Sequence, residues 1–303
     1  MTNIEIVEVG PRDGLQNEQR QIDTFDKIAL IERAIESGAR RIEVASFVNS
    51  RKVPQMSDAV EVIAGLPDRD DIVYIGLVLN ARGAERALAT KVHELGAVCI
   101  STDSFAMRNQ GQTSAQSLDV ARDIVRAARA AGRSAQITIG AAFGCPFEGE
   151  VSPDHVLEMA KRAADALPRE IALADTIGVA VPAQVTDLVA RVRAAIFPLP
   201  VRCHFHNTRN TGLANVWAAV AAGATTIDAS LGGLGGCPFA PGAAGNVPTE
   251  DVAYMLERSG IHTGFDLPIL LSTVDWFAGV MGRPLPGMLA KAGLFPAVDQ
   301  DKG

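Results

Sequence analysis

The chain has 303 residues, 48% hydrophobic and 21% charged, a balance that argues for a globular protein with a sizeable core and against a disordered or fibrous one. Its net charge of −7 is spread over both signs without a basic stripe, so nucleic acid is not an expected partner. No apolar run is long enough to cross a bilayer, and Cys99, Cys145, Cys203 and Cys237 form no CxxC pair, which argues against a membrane protein, a zinc ribbon or a dithiol centre.

A strand-like run opens the chain, leaving no room for a leader peptide, and with reduced thiols this makes the cytoplasm the expected location. Eight β-like runs recur: Ile4 to Val9, Arg41 to Ser46, Ile72 to Leu79, Ala97 to Thr102, Ala135 to Ala142, Glu170 to Asp175, Val201 to His206 and Thr225 to Ser230. Helical patterns separate them. Asp23 or Thr24 is expected to cap a helix with Phe25, Ile28, Ala29 and Ile35 on one side and Gly38 as its stop, and Ser152 with Pro153 to open another. Gly96, Gly132, Gly223 and Gly260 read as further helix ends.

Strand then helix, eight times over, predicts an α/β protein with a (β/α)8 TIM barrel fold, which commonly takes about 250 residues. The expected organisation is one domain over 1–303, with the barrel to about 264 and a helical extension from about 265 packing across the barrel or forming a subunit contact. A doubly wound open sheet is the rival, but Gly10-Pro11-Arg12-Asp13-Gly14 matches neither GxGxxG nor a P-loop.

In a closed barrel strand 8 neighbours strands 7 and 1, and chemistry gathers at the C-terminal strand ends. His204 and His206 share one face of strand 7 by their i, i+2 spacing, Asp13 follows strand 1, and Asn246 closes the loop after strand 8. Together they make a mixed O/N set suited to a divalent cation, Mg²⁺ or Mn²⁺ first, with Zn²⁺ or Co²⁺ acceptable. Each also has an ordinary alternative: core histidines, a loop cap at Asp13, an Asx turn at Asn246.

The glycine-rich stretch from Gly232 to Gly245, with Gly235, Gly236 and Gly242, reads as a substrate-binding loop whose thiol, Cys237, sits over the metal. Cys145, in a second GCPF after strand 5, is the rival thiol but lies across the barrel. Arg12 is placed to stabilise an oxyanion. Glu43 and Asp175 interrupt apolar strands, and a carboxylate there needs a partner, the metal or Arg12. His93, His155 and His262 read as surface residues.

The motifs GPRDGLQNE from Gly10, HFH from His204 and GGLGGCPFAPGAAGN from Gly232, followed by Thr249-Glu250-Asp251, resemble those of hydroxymethylglutaryl-CoA lyase, a metal-dependent TIM barrel of the DRE-TIM metallolyase superfamily. The resemblance covers the first strand to about Leu256. It implies Asp13, His204, His206 and Asn246 as metal ligands, Cys237 as the catalytic thiol, Arg12 as the catalytic arginine, and Glu43, Asp175 and Glu250 as supporting acids. It also implies an acyl-CoA substrate, 3-hydroxy-3-methylglutaryl-CoA or a close relative such as citramalyl-CoA or a longer-chain 3-hydroxyglutaryl-CoA, cleaved to acetyl-CoA and a keto acid such as acetoacetate, and a homo-oligomer. Many members follow HxH with Asp-Thr-Tyr-Gly; this chain has Asn207-Thr208-Arg209-Asn210, which puts the substrate rim in question. A condensing enzyme or aldolase of the same superfamily is the alternative, but the short tail lacks room for the regulatory sequence such synthases carry. A catalytically silent metal-binding protein is a further alternative, against which the full set of ligand, arginine and thiol positions speaks.

Overall fold

Strands covered by helices on one side and packed into a lumen on the other are buried on both faces, and β2 and β6 below are buried at every position. The structure is a computed structural model describing residues 3–236 and 245–296. Its strands are β1 (Glu5–Glu8), β2 (Arg41–Ser46), β3 (Val73–Val78), β4 (Glu94–Ile100), β5 (Ser134–Gly140), β6 (Ile171–Asp175), β7 (Val201–Phe205) and β8 (Thr226–Ala229). They run parallel and close in sequence order. Val7 lies opposite Asp228 and Glu8 opposite Ala229, so β8 returns to β1 and an open sheet is ruled out.

Several helix signals act as expected. Asp23 accepts from the Asp26 amide and opens Thr24–Glu36, and Pro153 opens Pro153–Ala164, where Ser152 holds the N-cap position without a side-chain cap bond. Gly38, Gly132, Gly223 and Gly260 take positive φ where the chain leaves a helix. Two expectations are corrected. Gly96 ends no helix; it lies inside β4, which starts at Glu94, and a Cβ there would come within 3.0 Å of Gln136 Nε2. The buried face of Thr24–Glu36 is Leu30, Ile31, Ala34 and Ile35, whereas Phe25 is 84% exposed. At 3.6 residues per turn Phe25 falls on the far side from the Leu30 and Ile31 stripe.

After β8 come Thr249–Arg258, Leu267–Met281 and Leu289–Ala292. Asp266 caps the second of these, which meets the first helix of the chain where Ser37 Oγ and Thr273 Oγ1 lie 3.1 Å apart. The chain then crosses to the loop after β8, where the Gly287 amide donates to the Gly232 carbonyl at 3.0 Å. Among the described residues no helix is long and apolar enough to cross a membrane.

The lower lumen is charged rather than aliphatic. Arg41 of β2 reaches Glu94 of β4 and, at 2.6 Å, Glu170 just before β6. These strands are not neighbours, so the contacts cross the interior. Arg202 of β7 pairs with the same Glu170 at 3.5 Å and with Asp228 of β8. Arg41 and Arg202 are among the largest fully buried side chains.

Candidate active site

The loop after β1 is a tight π-helical turn, Gly10–Gly14, in which the Val9 carbonyl accepts from the amides of Arg12, Asp13 and Gly14 at 3.2, 2.8 and 3.2 Å. Glu8 pins it from below. One carboxylate oxygen accepts from the Gly10 and Leu231 amides at 2.7 and 2.9 Å, and the other from Thr249 Oγ1 at 2.6 Å. Three segments of the mouth, after β1, after β8 and at the start of Thr249–Arg258, are thereby fixed to one buried side chain. Burial pushes the Glu8 carboxyl up to about 7 in spite of these bonds.

Asp13 lies at the centre. Its Oδ2 is 4.0 Å from His204 Nε2 and 3.9 Å from His206 Nε2. The two rings alternate with Phe205 along the strand, so both turn to the same side, with centroids 5.1 Å apart. One donor atom from each of the three residues lies within 4.8 Å of the others, close enough for a single divalent ion to reach all three. Asn246 joins them through an antiparallel bridge to His206, with the Asn207 amide donating to the Gly245 carbonyl and the Val247 amide to the Phe205 carbonyl. Its Nδ2 donates to Asp13 Oδ2 at 2.8 Å and to the Leu234 carbonyl at 3.0 Å.

Asn246 Oδ1 is buried and has no partner among the described residues. A buried acceptor left unmatched costs about 1–3 kcal/mol, and a cation beside Asp13 is the kind of partner that removes that cost. Ligation through Oδ1 requires the amide to turn over about its terminal torsion, which is broad and roughly two-fold. Carboxylate, imidazoles and amide oxygen together fit a divalent ion that favours oxygen and nitrogen donors.

Electrostatics prepare the same set. Burial opposes the charge on Asp13, but Arg12, then the two imidazoles and the Asn246 amide, hold its carboxyl well below the usual carboxylate range. Arg12 is itself clamped: Nε and Nη2 donate to Glu43 Oε1 and Oε2 at 2.9 and 3.0 Å, and Nη1 to Asp13 Oδ1 at 2.6 Å. Against burial, Glu43 and then Asp13 raise its pKa. Burial, aided by His204, pushes His206 down to about 4, leaving a neutral ring of the kind that ligates metals. His204 moves the other way: burial would lower it, but its bond to Asp228 and the charge of Asp13 raise it.

The other expected acids surround this cluster. Glu43 has Arg12 as its partner, as the sequence suggested, whereas Asp175 hydrogen-bonds to backbone and meets the cluster through the charge of His204, burial raising its carboxyl pKa against these effects. Its carboxylate accepts from the amides of Val179 and Ala180 at 2.9 and 3.0 Å, capping the loop after β6. The register explains this, since Ala174 lies opposite His204 and Asp175 opposite Phe205. Glu250 sits behind the loop after β8, accepting from the Gly232 amide at 3.0 Å, and burial pushes it up to about 8.

Gly235 has φ +107°, and a Cβ there would come within 2.6 Å of Asn246 Nδ2; one on Gly245 would come within 2.4 Å of the Gly235 carbonyl. The two legs of the glycine loop thus pack directly on each other and on Asp13. The Gly236 carbonyl accepts from Asn17 at 2.8 Å. Cys237 and Gly242 lie outside the described residues. Cys145 is buried among Ile100, Phe105 and Ala141, and its sulfur accepts from Thr102 Oγ1 at 3.0 Å. His93 and His155 are tied to the Tyr74 amide and the Ser101 carbonyl, and neither they nor His262 joins the cluster. Arg209 donates through Nη1 to the carbonyls of Ile177 and Gly178 at 3.1 and 2.9 Å, strapping the loop after β7 to the loop after β6.

The HMGL-like family model matches residues 3–276. The chain belongs to the hydroxymethylglutaryl-CoA lyase family. It is 42% identical over 309 residues to (R)-citramalyl-CoA lyase of Chloroflexus aurantiacus, covering 98% of each chain. To the hydroxymethylglutaryl-CoA lyase YngG of Bacillus subtilis it is 38% identical over 283 residues, 93% of this chain and 95% of the relative. A solved Acinetobacter baumannii HMG-CoA lyase, in complex with coenzyme A and 3-methylmalate, superposes with a TM-score of 0.93 at 40% identity over 98% of this chain and 97% of the other. The chain is accordingly a carbon–carbon lyase.

Sequence reasoning passed over three residues of this lyase: Glu8, Asp228 and Arg202. The available signal was the same that singled out Glu43, an ionisable residue inside an apolar strand, which for Asp228 reads Thr226-Ile227-Asp228-Ala229.

Proposed function

We propose that this lyase is divalent-metal-dependent and cleaves the C2–C3 bond of a 3-hydroxy-3-methyl dicarboxylic acid thioester of coenzyme A, releasing acetyl-CoA and a keto acid. 3-Hydroxy-3-methylglutaryl-CoA, giving acetoacetate, is the first candidate. Citramalyl-CoA is the second, favoured by the 42% identity to a citramalyl-CoA lyase; the 40% identical neighbour holds 3-methylmalate, a positional isomer of citramalate with the same dicarboxylate length. The observation that supports the reading most is the approach of Asp13, His204 and His206 donor atoms to within 4.8 Å of one another beside a clamped arginine.

A bound Mg²⁺ or Mn²⁺ would supply Lewis acidity to the substrate's 3-hydroxyl and lower its pKa. Asp13, His204, His206 and the amide oxygen of Asn246 would hold it. Loss of the hydroxyl proton lets the C3 oxygen become a carbonyl while the C2–C3 electron pair leaves as the thioester enolate. Arg12, fixed at both ends by Glu43 and Asp13, presents its charge to developing negative oxygen without having to reorganise. Cys237 follows Gly236, which Asn17 ties to the segment after β1, and its thiol would protonate C2 to complete acetyl-CoA.

The test is release of acetyl-CoA from a panel of branched 3-hydroxyacyl-CoA thioesters with Mg²⁺ and Mn²⁺. Cleavage of 3-hydroxy-3-methylglutaryl-CoA ahead of citramalyl-CoA supports the first candidate, and the reverse order the second. Condensation of acetyl-CoA with 2-keto acids, without cleavage of either thioester, would sink both.

A further inference from the structure

The two imidazoles at the mouth are not held alike. His206 Nδ1 is buried with no partner among the described residues, whereas His204 Nδ1 lies 3.1 Å from Asp228 Oδ2. His204 and Asp228 face each other in the β7 and β8 register, which fixes their separation through the backbone. The second Asp228 oxygen accepts from Arg202 Nε. Arg202 is paired with Glu170, Glu170 with Arg41, and Arg41 with Glu94. A buried chain of alternating anions and cations therefore runs from β4 across the lumen to the back of one imidazole. Burial opposes the charge on Asp228, but Arg202 and then His204 keep its carboxyl below the usual range.

We propose that Asp228 is a positioning residue for the metal centre, taking the Nδ1–H of His204 and so fixing both the ring's orientation and the tautomer that turns an unprotonated Nε2 toward Asp13. The inference rests on the metal reading above and deepens it. An ionised carboxylate can only accept, so a neutral His204 bonded to it must carry its proton on Nδ1 and keep the Nε2 lone pair free. A ring held by one ligand bond alone can pivot; the second bond removes that freedom, and the ion chain behind Asp228 keeps the carboxylate from following. Losing such a support typically weakens a metal site 10- to 100-fold.

The test is an Mn²⁺ titration of wild type and Asp228→Asn, read from the electron paramagnetic resonance of free Mn²⁺ below both melting transitions. The variant should bind roughly 10- to 100-fold more weakly, with kcat at saturating Mn²⁺ falling less than the affinity. A merely structural role would lower Tm and leave the affinity in place. In parallel, long-range ¹H–¹⁵N correlation on the Mg²⁺-loaded wild type should show the His204 proton on Nδ1. Unchanged Mn²⁺ affinity in a folded variant, or a His204 proton found only on Nε2, overturns the proposal. Should the stranded Arg202 charge keep the single variant from folding, Arg202→Gln with Asp228→Asn takes its place, and the wild-type spectrum decides the tautomer without any variant. A wild type that takes up no Mn²⁺ overturns the metal reading instead.

Discussion

The mouth and the floor of this barrel are both charged, yet only on the floor does every buried charge meet an opposite one. There Arg41 meets Glu5, Glu94 and Glu170, and Arg202 meets Glu170 and Asp228, with Arg41 Nε the one guanidinium nitrogen of the pair buried without a partner among the described residues. At the mouth Asp13 Oδ2 faces two imidazoles at 3.9 and 4.0 Å, beyond hydrogen-bond length, while Asn246 Oδ1 and His206 Nδ1 are buried without partners among the described residues. Ionised groups taken out of water cost several kcal/mol each unless paired. Pairing among its own residues meets that cost on the floor, and the mouth is arranged as a set of donors with a place for something more. Opposite charges in direct pairs mark the structural cluster, ligand atoms converging beyond bonding distance mark the functional one, and Asp228 belongs to both.

Removing a mouth ligand should have the largest effect. His204→Ala is expected to lower metal-dependent turnover by at least about 10³-fold, since several kcal/mol of transition-state stabilisation go with the ion. Stoichiometric Mn²⁺ together with full rate in that variant would refute the ligand assignment. Cys237→Ala should cost about 10²- to 10⁴-fold in turnover with Mn²⁺ binding unaltered, dividing the mouth into groups that hold the ion and a group that moves a proton. Near-normal turnover removes the role given to the thiol.

A floor substitution should behave in the opposite manner. Arg41→Met leaves buried Glu94 with only Arg169 at 3.7 Å and Glu170 with only Arg202 at 3.5 Å as cationic partners, and should cost about 3–5 kcal/mol in denaturant unfolding, with Mn²⁺ affinity of the folded protein preserved. If affinity fell while stability held, the division between the regions would be wrong.

Glu250 shows a third solution, neutralisation. Its folded pKa is raised from 4.5 to about 8 by burial, against its backbone bonds and with the help of Asp251 and Glu8. The folded state therefore keeps a proton that the unfolded chain gives up above about 4.5. The stability this contributes is fully present below that pH and is lost as pH rises through 8. Glu250→Gln, which cannot ionise, should lessen the decline in unfolding free energy between pH 5 and 8.5 by something on the order of 4 kcal/mol. Parallel profiles for wild type and variant would count against a buried neutral acid.

The barrel was legible because its signals are local and repeated. Eight β-like runs, positive-φ glycines at helix ends and caps such as Asp23 each specify a few residues, and their period implies closure. Closure alone then brings Asp13, His204, His206 and Asn246 into one neighbourhood. Gly96 and Phe25 were misread for complementary reasons: a glycine demanded by lumen packing resembles a helix stop, and an aromatic near a helix start carries no mark of which side the barrel covers.

Partners were the part the sequence could not assign. Asp175 and Glu43 look alike in their strands, but register sends one to the amides of its own loop and the other to Arg12. Likewise the apolar run around Asp228 marks a buried acid but not its partner, until β7 and β8 align it with His204. Strand identity and the sign of each charge are properties of neighbouring residues along the chain, so sequence alone determined them. Which charge meets which depends on interstrand register and on contacts across a closed lumen between residues up to about 130 apart, such as Arg41 and Glu170, and only the tertiary structure decides that.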